Sequence, residues 1–172
     1  SSEDGMHFYQ ADPQQTAVIK YSYATGEAVD TLFNTRKARN CTFDNFQGFL
    51  VSPDENRVLV YRDREQVYRH SFRADYYYHD VRRNMVRRLS EHSSKQMIPT
   101  FSPDGKMVAY VIENNIWITK FDFDTESQVT KDGEMNKVIN GATDWVYEEE
   151  FGTTRLMEFS PDNRLLAFVR TD

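Results

Sequence analysis

The sequence predicts an all-β fold built from repeated four-stranded antiparallel units. Three observations carry this. A turn motif, Ser-Pro-Asp, recurs at Ser52-Pro53-Asp54, Ser102-Pro103-Asp104 and Ser160-Pro161-Asp162. Each copy leads into a β-rich run: Arg57–Tyr61, Met107–Val111 and Leu165–Val169. The 172 residues are rich in Tyr (10) and Phe (12), whose flat rings suit a pleated surface.

Pro sets φ for the first turn position, and Ser and Asp side chains bond nearby backbone. Apolar runs on both sides make each motif a hairpin. After the second hairpin, Asn114-Asn115 turns the chain into Ile116-Trp117-Ile118, with Gln128-Val129-Thr130 as a fourth strand. After the first, strands are expected at Gln66–Phe72, Tyr76–Val81 and Met85–Leu89. Ahead of both, Thr16–Tyr21 and Glu27–Phe33 form a pair joined at Ala24-Thr25-Gly26. Four strands in each ~40–50 residues is the signature of propeller blades.

The expected architecture is therefore a partial β-propeller: about two full four-stranded blades plus parts of two flanking blades, with a short inserted helix. The divisions are a blade part at 1–35, blades at 45–90 and 96–131, a helix-bearing insert at 132–152 and a blade start at 155–172. A small β-sandwich is the alternative, and the repeat disfavours it. A closed propeller takes ~4–8 blades, so this arc cannot close on itself. Its open edges are expected to be covered by a second copy, as a homodimer.

Composition excludes several classes. A net charge of −6 argues against nucleic-acid binding, which needs a basic surplus. The cluster Arg82, Arg83, Arg87, Arg88 reads as a solvated turn and strand edge. One cysteine, Cys41, permits no intrachain disulfide. The four histidines lack zinc-site spacing, so neither metal nor cofactor is expected. Asn40-Cys41-Thr42 fits a glycosylation sequon, a pattern common by chance. No apolar run approaches the ~18 residues of a membrane span, and no signal peptide is visible.

One segment breaks the strand pattern. Asp144-Trp145-Val146-Tyr147-Glu148-Glu149-Glu150-Phe151-Gly152 has a helix N-cap at Asp144 and a stop at Gly152. Three glutamates crowd its C-terminal turn, where the macrodipole disfavours anions and adjacent carboxylates repel. By itself Glu-Glu-Glu is a solvated acidic patch. A convergent carboxylate pair, however, suits an α-ammonium with its three donors.

Residues 144–151 closely resemble the double-glutamate helix of dipeptidyl peptidase IV and its relatives in the prolyl oligopeptidase family. Tyr68-Arg69-His70-Ser71, followed by Tyr76-Tyr77-Tyr78-His79-Asp80, resembles that family's arginine segment. The Ser-Pro-Asp hairpins and Asn115-Ile116-Trp117-Ile118 fall in the family's order. The resemblance runs from about Asn45 onward.

It implies an eight-bladed propeller capping an α/β-hydrolase domain. The last two glutamates, Glu149 and Glu150, would hold a peptide's free amine, with Glu148 a structural neighbour and Tyr147 supporting them from below. Arg69 would hold the carbonyl of the second residue from the cleavage site and pair with the acidic helix. The implied activity is removal of N-terminal dipeptides, after Pro or Ala, by a periplasmic or secreted serine exopeptidase. The partners implied are a peptide with a free N-terminus and a C-terminal hydrolase domain.

These 172 residues contain no Gly-x-Ser-x-Gly elbow, which a hydrolase nucleophile requires. No catalytic residue is therefore assigned, and the chain alone is expected to be inactive. His70-Ser71 reads as adjacent strand residues facing opposite ways, and so not as a dyad. Trp145 and Trp117 read as packing residues, with Trp145 also counted, beside Tyr147 and Glu148, as a support of the glutamate site. A non-catalytic propeller binding a peptide or protein partner is the competing function, and a pure scaffold is a third.

Overall fold

The computed structural model describes all residues except 1, 3, 136, 146, 147 and 150–152. The chain forms two compact units: residues 1–63 with 76–89, and residues 64–75 with 90–172.

In the first unit, β1 (His7–Ala11), β2 (Ala17–Ser22) and β3 (Ala28–Asn34) make an antiparallel sheet in sequence order. Next come β4 (Gly48–Val51), β5 (Arg57–Gln66), β6 (Phe72–Asp80) and β7 (Met85–Arg88), a four-stranded sheet ordered β4-β5-β6-β7 whose hairpin tip, residues 64–75, belongs to the second unit. Val18, Phe33, Phe46, Val58, Val60 and Val86 pack into one core. The period-2 side-chain rule puts Val58 and Val60 on one face of β5. Leu59, on the other face, is also fully buried.

The second unit centres on β8 (Met97–Phe101), β9 (Met107–Ile112), β10 (Asn115–Lys120) and β11 (Thr125–Gln128), ordered β11-β10-β9-β8. A 3-10 turn at Phe121–Phe123 joins β10 to β11. Two short pairs follow: β13 (Met157–Phe159) with β14 (Leu166–Phe168), and β12 (Ile139–Asn140) with β15 (Arg170–Thr171). Ala109, Val111, Ile116, Ala142, Met157 and Phe159 form its core. Gly141 lies against it at φ +77, where an added Cβ would sit 3.1 Å from the Ile116 side chain.

Both four-stranded sheets are antiparallel meanders, the construction of a propeller blade. The Ser-Pro-Asp turns have one geometry. In each, the Ser hydroxyl donates to the Asp carboxylate and accepts the N–H five residues on: Ser52 with Asp54 and Arg57, Ser102 with Asp104 and Met107, Ser160 with Asp162 and Leu165.

A fourth copy occurs where the sequence shows none. The Ser2 hydroxyl donates to Asp4 and accepts the His7 N–H. Gly5 N–H bonds to Ser2 carbonyl, as Glu55 does to Ser52 and Gly105 to Ser102. Glu3 stands where the other copies have proline. Ser2, Ser52 and Ser102 thus lie 50 residues apart. The Ser2 turn leads into β1 as the Ser52 and Ser102 turns lead into β5 and β9, although β1 is an edge strand of its sheet.

Two strand expectations need correction. No strand spans 66–72: β5 runs on to Gln66, residues 67–71 form a turn, and β6 begins at Phe72. The run Arg62–Gln66 is too polar to read as strand, but cross-strand pairs hold it. Arg73 Nε meets Glu65 at 2.9 Å and Arg64 lies over the Phe72 ring at 4.5 Å. The last strand of the second sheet is Thr125–Gln128, not 128–130. Thr130 Oγ1 instead accepts the Ile116 N–H at 2.9 Å. Residues 132–152 hold a strand, β12, as well as helical residues.

Candidate functional site

The tip of the β5–β6 hairpin and the helical segment both belong to the second unit. The tip is tied there by a backbone bridge between Ala74 and Gln96, with both N–H···O bonds made at 3.0 and 2.9 Å. Lys95 Nζ adds an ion pair to Asp75 at 2.9 Å.

Trp145, Glu148 and Glu149 are helical, and Glu148 N–H donates to the Asp144 carbonyl at 3.1 Å. That bond fits Asp144 as the residue whose carbonyl opens the helix. The expected stop at Gly152 lies outside the described residues, as do Tyr147 and Glu150.

Glu148 turns inward and has no exposed surface. Its carboxylate accepts the His70 N–H at 2.6 Å and the Ser71 hydroxyl at 2.8 Å. A buried carboxylate is costly unless hydrogen-bonded, and these two donors supply the bonds. Glu149 turns the other way, with its Oε1 3.6 Å from Arg69 Nε. The Arg69 side chain is 72% exposed. The structure thus brings Arg69 and Glu149 together and seats Glu148 beneath their loop.

Two features of this loop escaped the sequence. His70 and Ser71 are turn residues, not strand neighbours on opposite faces, and both serve Glu148. Gln66 was read only as strand. Its Oε1 accepts from Arg64 at 2.9 Å, which directs its Nε2 to the carbonyls of Tyr68 and, at 3.0 Å, Arg69. A polar residue just before an arginine-bearing turn was the available signal. Trp145 is not a packing residue: its surface is 56% exposed, since the helical turn buries Glu148 instead. Trp117 is partly buried, edge-on to His92 at 4.3 Å between ring centroids.

Among the described residues no cluster of His, Cys, Asp or Glu is suited to a metal ion, and no helix is long and apolar enough to cross a membrane. Cys41 is a free thiol whose pKa burial pushes up.

Blade-type meanders repeated at 50-residue intervals define a β-propeller segment. Residues 52–172 match the family described as the dipeptidyl peptidase IV (DPP IV) N-terminal region, and the chain belongs to that family. The crystal structure of Porphyromonas gingivalis dipeptidyl peptidase 4 superposes with a TM-score of 0.98 at 58% identity, covering 100% of this chain and 24% of that one. Human prolyl endopeptidase FAP is 32% identical over 153 residues, 88% of this chain and 20% of the relative. A probable dipeptidyl-aminopeptidase B of Talaromyces marneffei is 40% identical over 124 residues, 70% of this chain and 14% of the relative. The chain therefore spans a quarter or less of these relatives' length. TolB from Acinetobacter baumannii, with a TM-score of 0.50 at 16% identity, is similar in fold alone.

Proposed function

We propose that this chain is the substrate-gating, N-terminus-anchoring propeller portion of a dipeptidyl peptidase IV-like serine exopeptidase. The parent protein removes N-terminal dipeptides after Pro or Ala, outside the cytoplasm in the periplasm or as a secreted protein. Its substrate is a peptide with a free N-terminus. The serine chemistry belongs to a C-terminal α/β-hydrolase domain, and the protein works as a homodimer.

The observation that carries this reading is the Arg69–Glu149 pair. An exposed arginine on a tethered turn faces a helical glutamate at 3.6 Å. Such a pair adds only ~0–1 kcal/mol to stability, so folding gives little reason for it. A carboxylate pair at Glu149 and Glu150 satisfies the donors of an α-ammonium. A guanidinium beside it supplies donors to the peptide carbonyl that follows. Anchoring this remote end presets the distance to the scissile bond, turning binding into orientation. A blocked amine loses its charge and its donors, and is rejected.

The test is made in the full-length protein, with Glu149→Gln and Glu150→Gln assayed on Gly-Pro reporters with free and acetylated amines. Both variants are expected to lose most of kcat/KM for the free amine, by roughly 10- to 100-fold, with melting temperatures near wild type. Full activity in both would overturn the site assignment. A full-length protein that binds free-amine peptides but never cleaves them would favour the non-catalytic peptide-binding propeller.

A further inference from the structure

The peptide unit that follows Arg69 is held on both sides. Its carbonyl accepts from Gln66 Nε2 at 3.0 Å, and its N–H, on His70, donates to Glu148 Oε1 at 2.6 Å. Ser71 closes the turn: its carbonyl accepts from Val67 N–H at 3.0 Å, and its hydroxyl accepts from Tyr68 N–H at 3.2 Å. That same hydroxyl donates to Glu148 Oε2 at 2.8 Å. Gln66 is itself oriented by Arg64, which rests on the Phe72 ring. The backbone of a turn whose arginine head is mostly exposed is thus held by three side chains, one of them 78 residues away in sequence.

We infer that Glu148, with Ser71 and Gln66, is a positioning device for Arg69. Glu148 joins the helix to the arginine turn from below, while Glu149, the next residue, meets the arginine head from above. One helical turn therefore sets both the position of the Arg69 backbone and the direction of its side chain. A long side chain projecting from a loose turn would spend its time in many rotamers, and ordering it would cost binding free energy. Fixing the peptide removes the backbone share of that cost before substrate arrives. This rests on the proposed amine-anchoring site and adds a role for three residues that touch no substrate.

The consequence is specific to chemistry as well as to place. Glu148→Gln keeps an oxygen for the His70 N–H, and its amide can donate to Ser71, whose hydroxyl can turn to accept. Glu148→Ala removes both anchors. Ser71→Ala removes one.

The experiment uses the full-length protein and two readouts. Deuterium exchange over residues 66–72 reports the turn directly, whatever the activity is. Exchange in Glu148→Ala should rise there and stay unchanged over β9. In kinetics on a free-amine Gly-Pro reporter, Glu148→Ala should cut kcat/KM by on the order of 10- to 100-fold. Ser71→Ala should cost less, and Glu148→Gln should recover most of the loss. In an Arg69→Ala background, Glu148→Ala should cost almost nothing further, because the group it positions is gone.

Equal cost in both backgrounds, or no recovery by glutamine, would overturn the positioning role. If Glu148→Ala does not fold, Ser71→Ala and Glu148→Gln decide by the same cycle: additivity with Arg69→Ala sinks the proposal. If Arg69→Ala and Glu149→Gln are themselves fully active, the anchoring site fails instead, and deuterium exchange still shows whether Glu148 holds the turn.

Discussion

Replacing Ser102 by alanine removes the buried centre of a turn, and the repeat supplies its own control. Ser102 is completely buried; its hydroxyl donates to Asp104 Oδ1 at 2.6 Å and accepts the Met107 N–H at 3.0 Å. Alanine deletes both bonds and leaves the Met107 N–H without its side-chain partner at the start of β9. A buried group stripped of its hydrogen bond costs ~1–3 kcal/mol. Ser160 makes the same two bonds, to Asp162 at 2.5 Å and from Leu165 N–H at 3.0 Å, but in an exposed turn. Water can replace the lost hydroxyl there, so the cost should stay within ~0.5 kcal/mol. For a chain of this size each kcal/mol shifts the melting temperature by about 2–4 °C. Ser102→Ala should therefore melt roughly 2–12 °C lower, and Ser160→Ala within about 2 °C of wild type. Thermal and urea unfolding followed by circular dichroism measure both. Equal destabilisation by the two variants would refute the burial reasoning, and a neutral Ser102→Ala would refute the hydrogen-bond reasoning.

Two further outcomes follow from His79 and Gly133. His79 is buried, with Nε2 on Asn84 Oδ1 at 2.9 Å and Nδ1 without a partner among the described residues. Burial holds its pKa below the usual 6.5, against the opposing pull of Asn84 and Asp80. The folded state thus resists a proton that the unfolded state takes up below about pH 6.5. Stability is full above that pH and falls as the pH drops, by at most about 1.4 kcal/mol per unit for this one group; in urea titrations at pH 7.5 and 5.5, His79→Gln should show a smaller difference than wild type. At Gly133, an added Cβ would lie 2.4 Å from the Asn114 carbonyl oxygen and 2.8 Å from Asn115 Oδ1. Gly133→Ala must displace backbone, at a cost of ~1–3 kcal/mol, read as a lower melting temperature.

The parts of this fold that were legible in sequence are those whose chemistry is local. Ser-Pro-Asp states its turn through three adjacent residues, and all three copies form it. The copy at Ser2 was hidden because the proline, its most visible residue, is Glu3, although the Ser and Asp that make the bonds are present. The extension of β5 to Gln66 was hidden because alternation fails as a signal once both faces are polar. Arg64 on Phe72 and Arg73 with Glu65 hold that hairpin end, and such pairs exist only after the strands have met. The site divides in the same way. Arg69 and Glu149 were legible through their motifs. Glu148 was expected only as a neighbour, because nothing local says that one of three identical residues will be swallowed by a turn near residue 70.

Stability alone is a poor reason for that arrangement. Glu148 bears the desolvation cost of a buried carboxylate and is met, among the described residues, by the His70 N–H and the Ser71 hydroxyl. Apolar residues at 71 and 148 could pack without that desolvation cost. What an apolar contact lacks is direction. Hydrogen bonds to His70 N–H and Ser71 Oγ fix the turn in rotation as well as in distance, and Gln66 fixes the other side of the same peptide. Arg69 is thus carried by backbone held more tightly than an exposed hairpin turn needs for folding. Local rules are most often broken at functional sites, and here a buried glutamate and its neighbour both lie against the arginine-bearing turn.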